Sequence, residues 1–103
     1  MNDTIISIVK LDGQQFKDWA HKMETIAILN GAAKTAPQLL CGVYDDIYEN
    51  ANFGFKILID LIYCRNRLDF LANYQPTKTD AIDFILLKAE FVRLMLERAG
   101  VNK

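Results

Sequence analysis

His21 is the only histidine in the chain, and imidazole is the side chain whose ordinary titration lies nearest neutral pH. No serine, cysteine or carboxylate motif points to it as a catalytic base. It falls on the polar side of an amphipathic segment, so it is expected at the exposed surface. Cys41 and Cys64 lack metal-ligand spacing, and each sits inside an apolar run, Leu39-Leu40-Cys41 and Leu61-Ile62-Tyr63-Cys64. Buried, reduced thiols are the expectation, which suits a reducing compartment. Asp45, Asp46 and Glu49 are the densest carboxylate group. Hard cations take clustered carboxylates, but no EF-hand-like loop accompanies these three, and a solvated acidic face is expected in place of a metal site.

A second polar pattern lies further on. Arg65, Asp69 and Asn73 recur at four-residue spacing, and Arg65 with Asp69 suits an i, i+4 ion pair. Tyr63 and Arg67 lie beside them, and Lys56, Asp60 and Arg67 form a separate polar stripe. Arginine and tyrosine next to apolar surface are the residues that anchor interfaces, and aromatic and basic groups together can also stack on and neutralise a nucleotide. Tyr63, Arg65, Arg67 and Asp69 are therefore the candidate partner- or ligand-binding residues, with Tyr44, Tyr48 and Tyr74 expected at the core boundary. The sequence has no Gly-rich phosphate loop, nucleophile elbow, HExxH or CxxC. A non-enzymatic protein without catalytic residues or cofactor is expected.

The chain has 103 residues, 51% of them apolar, and a formal charge of −1 from 12 basic and 13 acidic side chains. That suits one folded domain. It argues against a protein held to nucleic acid mainly by phosphate neutralisation. No apolar run approaches the roughly 20 residues that span a bilayer, and no signal-peptide pattern is apparent; no membrane association and a cytoplasmic location are expected.

The positioning elements read as helices, so the predicted class is all-α: a single four-helix, bundle-like domain. Residues 1–12, with the β-branched run Thr4–Leu11, have no second strand to pair with and are expected to lie as an extended arm. Asp12 followed by Gln15 resembles a capping box, opening a helix over 13–30 whose apolar positions are Phe16, Trp19, Ala20, Met23, Ile26 and Ala27. Asn30-Gly31 supplies a left-handed stop. A second helix spans 35–50 with Pro37 in its first turn, weakened by Gly42. A third spans 55–74, ending before Pro76. Thr77-Lys78-Thr79-Asp80 caps the fourth, 80–99. The expected core holds Phe16, Trp19, Met23, Leu40, Tyr44, Ile47, Leu61, Leu68, Ile85, Ala89, Val92 and Leu96.

The fourth helix carries more apolar surface than one buried face needs. Ile82, Ile85, Ala89, Val92, Leu96 and Ala99 make one stripe at about 100° per residue. Leu87, Phe91 and Leu94, at i, i+4 and i+7, lie outside it. A surplus ridge of this kind meets another chain. It predicts a homo-oligomer, most simply a two-fold dimer, with Met95 and Arg98 at the edge of the interface.

Residues 10–26, Lys10 to Ile26, resemble the start of the Gag polyprotein of copia-type retrotransposons, through Leu11, Gly13, Phe16, Trp19 and Met23. The resemblance implies an all-α, capsid-like domain that self-assembles, with Trp19 and Met23 in the core. Ala32-Ala33 stand where that family often has Leu-Trp, and the zinc knuckle of such polyproteins has no counterpart in the sequence. The functional expectation is a small intracellular binding or adaptor protein, an inhibitor or regulator acting by protein–protein contact and self-association. A nucleotide or small-ligand binder with a pocket between helices or subunits, and a capsid-like assembly domain, are the alternatives.

Overall fold

The fold is all-α, as the periodicity predicts. The structure, a computed structural model, describes residues 2–50 and 66–101. Among these it contains α1 (Asp3–Val9), α2 (Gly13–Leu29), α3 (Ala36–Glu49), α4 (Arg67–Asn73) and α5 (Ala81–Arg98), and no strand. The expected Leu61, Tyr63, Cys64 and Arg65 lie outside the described residues, as does the first part of the predicted 55–74 helix.

The helix ends follow local chemistry. The Asp12 carboxylate accepts from the Gln15 amide at 2.8 Å, and the Gln15 side chain accepts from the Asp12 amide at 3.4 Å, completing the capping box. Gly31 stops α2 at φ +82°, with the Ala32 amide reaching back to the Ala27 carbonyl at 2.9 Å. Thr35 caps α3 by accepting from Gln38, with Pro37 in the first turn.

Two expectations need correction here. The N-terminal segment is a helix instead of an extended arm. Asn2 caps it by accepting from the Ile5 amide at 2.9 Å. Five of its seven residues are β-branched, which costs only a few tenths of a kcal/mol each in helix propensity. Ile5, Ile8 and Val9 share one face of this helix and join the core, and that packing outweighs the propensity. The predicted helix over 55–74 does not run through Asn66, which is extended (φ −120°, ψ 90°) and whose side chain accepts from the Asp69 amide to cap α4.

The core is centred on α5, against which α1, α2 and α3 all pack. Phe16, Val43, Ile47, Leu71, Leu87, Phe91, Val92 and Met95 are fully buried. Phe91 is the aromatic hub, with Phe16 at 5.9 Å and Tyr44 stacked at 5.8 Å between ring centroids. A second aromatic group, Phe70, Tyr74 and Phe84, joins α4 to α5 at 4.8–5.8 Å. Trp19 and Leu40, expected in the core, are only half-buried against it.

The ridge expected at a dimer interface is interior. Leu87, Phe91, Leu94 and Met95 are buried within the chain itself, and Arg98 pairs with Asp46 of α3. Phe91 packs on Phe16 of α2 and Tyr44 of α3, and with α1, α2 and α3 all against α5 the surplus face has neighbours from its own chain. The exposed apolar residues of α5 lie in its first turns. Ile82 is 74% exposed and Ile85, expected in the core, is 44% exposed, with Leu86 beside them at 41%.

Candidate functional site

Three regions gather the polar and exposed groups. The first is an open cleft of about 620 Å³ between α3 and the start of α4, lined by Pro37, Leu40, Cys41, Tyr44, Asn66, Arg67 and Leu68. Arg67, one of the predicted binding residues, sits over the Tyr44 ring at 5.1 Å, a cation–π arrangement. Cys41 is exposed here, contrary to the expected buried thiol. It occupies the outer side of α3, while Leu39, Val43, Tyr44 and Ile47 face inward.

Asp69, another predicted binding residue, is not drawn into this cleft. Its carboxylate pairs with Lys17 of α2 at 2.5 Å, because α4 packs across the N-terminal half of α2. The approach is close. A Cβ on Gly13 would overlap the Asn73 side chain and lie 3.3 Å from the Ala72 carbonyl oxygen.

The second region is the outer face of α5. Ile82, Ile85 and Leu86 form an exposed apolar ridge in its first turns. Further along, Arg93 bridges Glu90 and Glu97. These carboxylates hold the Arg93 guanidinium above its ordinary pKa, the hydrogen bond it donates to Glu90 being the largest cause. The ridge therefore adjoins a polar stretch whose charges are paired within the helix.

The third region is a cleft of about 670 Å³ between the end of α2 and α3, lined by Ile28, Gly31, Ala32, Ala33, Lys34, Gln38, Leu39, Gly42 and Arg98. Arg98 spends its charge on Asp46, which separates Asp46 from the acidic group expected with Asp45 and Glu49. Among the described residues no three histidine, cysteine or acidic side chains could hold a metal ion together.

Three buried polar residues were not anticipated. Lys88 is only 6% exposed, and its ammonium lies 4.4 Å from the Phe16 ring centroid. Burial pushes its pKa below the ordinary lysine value. Its spacing from Phe84 and Val92, four residues either way, was the available signal. Glu24 is buried on α2 with its Oε1 3.3 Å from Nδ1 of His21, whose side chain is exposed as expected. Asp80 stands at the predicted cap of α5 but does not cap it. Its carboxylate turns back to accept from the Tyr74 hydroxyl (2.7 Å), the Thr77 amide (2.6 Å) and the Thr77 hydroxyl (2.9 Å), which ties down the connection between α4 and α5.

No family model matches the chain, and neither a characterised protein nor a solved structure matches it. The class that the fold defines is a small all-α domain. Among the described residues no helix is long and apolar enough to cross a membrane.

Proposed function

We propose that this chain is a small, non-enzymatic, cytoplasmic binding protein, an adaptor or regulator that works by protein–protein contact and associates with a second copy of itself. The single observation that carries the reading is the ridge of Ile82, Ile85 and Leu86. These stand at i, i+3 and i+4, the spacing by which one helix face engages another, on a helix otherwise occupied with its own core. In the adjoining stretch Arg93 is held by Glu90 and Glu97 of the same helix, and the apolar end is the part of this face without such partners. In a two-fold contact like meets like, and an apolar patch is complementary to itself. The resemblance of residues 10–26 to a capsid-like domain agrees with self-association.

Sedimentation velocity from low to high micromolar concentration tests this. Wild type should show concentration-dependent association, and Leu86→Glu should remain monomeric with an unchanged melt. A wild type that stays monomeric throughout removes the reading.

A second reading, a small-ligand binder, draws on Arg67 over Tyr44 at the α3–α4 cleft. The cleft's volume lies within the range of small-molecule pockets. A thermal-shift screen with nucleotides checks it: a ligand that binds only the folded state raises the melting temperature, and Arg67→Ala should cancel that rise. A flat screen leaves the first reading in place.

A further inference from the structure

One of the three helices packed against α5 is a short terminal element that can be shared between copies. The helix α1 is seven residues long, too short to persist in water without packing. Its main contact is with α5. Ile5 is its one buried side chain, with Ile8 and Val9 half-buried beside it. The connection to α2 is only Lys10, Leu11 and Asp12, and the capping box at Asp12 fixes the start of α2 independently of α1. A covering element attached by a short connection, whose contacts are wholly reproducible by an identical chain, has the anatomy of an exchangeable segment.

We infer that α1 is a detachable strap, and that the α5 surface beneath it is a docking site for the α1 of a second copy. This rests on the self-association reading above, but it uses a different surface. The occupant is specified by contacts already present within one chain: Ile5 inserted into the core beside α5, flanked by Ile8 and Val9. Exchange leaves those contacts unchanged and only alters which chain supplies them. The intramolecular form prevails in dilute solution, because a short connection holds α1 at an effective concentration of roughly millimolar.

The test uses the full chain and a fluorescent peptide of residues 1–11. Ile5→Asp in the full chain should release its own strap and leave the α5 site open. It should then capture the wild-type peptide, read by fluorescence anisotropy, at least about tenfold more tightly than the wild-type chain does, since the tethered strap competes. A peptide carrying Ile5→Asp should not be captured. Equal capture by the two chains overturns the inference, as does an absence of capture by a folded Ile5→Asp chain. If Ile5→Asp unfolds the whole protein, α1 is an integral part of the core and the strap does not exist. Native-state hydrogen exchange of wild type supplies a check that needs no substitution. Amides of α1 should open at denaturant concentrations that leave α2 and α5 closed, and exchange of all three only on global unfolding overturns the inference. Leu86→Glu separates the two surfaces, because it should abolish ridge-mediated association while leaving peptide capture intact.

Discussion

The Lys88 ammonium lies over the face of Phe16, 4.4 Å from the ring centroid, with no carboxylate of the described residues within ion-pairing distance. The pairing spans α5 and α2, so a charged group is buried between two helices. The ring's negative face offsets part of the lost hydration. The remainder appears as a pKa below the ordinary 10.5.

This fixes the direction of a pH effect. Folding favours the neutral amine, so Lys88 opposes stability fully below its folded-state pKa. The penalty fades as pH rises from that value towards 10.5. Lys88→Met should stabilise the protein at pH 7 by about 1 kcal/mol, as when a buried charge gives way to a well-packed apolar side chain. Urea melts at pH 7 and pH 10 should show the gap between variant and wild type narrowing at the higher pH. A gap that widens rules out the assigned cause.

Two glycines should respond oppositely to alanine. Gly42 lies in the interior of α3, and a Cβ there would meet nothing within 4 Å; Gly42→Ala should stabilise by about 0.5–1 kcal/mol. Gly13→Ala must displace the Asn73 side chain beside the Ala72 carbonyl, and should destabilise by about 1–3 kcal/mol. Paired denaturant melts decide both.

Charge placed on α5 discriminates interior from surface. Leu94→Glu buries a carboxylate without a partner and should abolish folding, whereas Leu86→Glu should leave the circular dichroism melt unchanged. Folding of Leu94→Glu with loss of an oligomer would return that residue to an interface.

The connection between α4 and α5 depends on one carboxylate. Asp80→Ala removes acceptors for the Tyr74 hydroxyl and for both donors of Thr77, and should cost about 1–3 kcal/mol. Asp12→Ala, which loses an exposed cap, should cost about 1 kcal/mol. Equal losses would mean that the buried network adds nothing beyond a cap.

The helix limits were legible because they are set within a few residues of chain. Asp12 with Gln15, Asn30-Gly31 and Thr35 with Pro37 act on backbone groups next to them, and α2 and α3 begin and end within about a residue of where those signals place them. The candidate site was legible only in fragments. Arg67 and Asp69 were singled out, but the pairing of Asp69 with Lys17 joins positions far apart in sequence, and no periodicity encodes which helix lies opposite another.

The sequence by itself determined the all-α class, the capping chemistry and the excess of apolar surface on α5, since each depends on residue type and spacing along one helix. Only the tertiary structure decided where that excess goes. A β-branched N-terminal segment has weak intrinsic preference for helix, and its conformation was settled by whether Ile5, Ile8 and Val9 could bury themselves on a neighbour. With α1, α2 and α3 all packed against α5, Leu87, Phe91 and Leu94 are core, Ile82, Ile85 and Leu86 are surface, and Lys88 lies over the ring of Phe16. Burial is a property of two surfaces meeting, and the sequence of one helix specifies only its own.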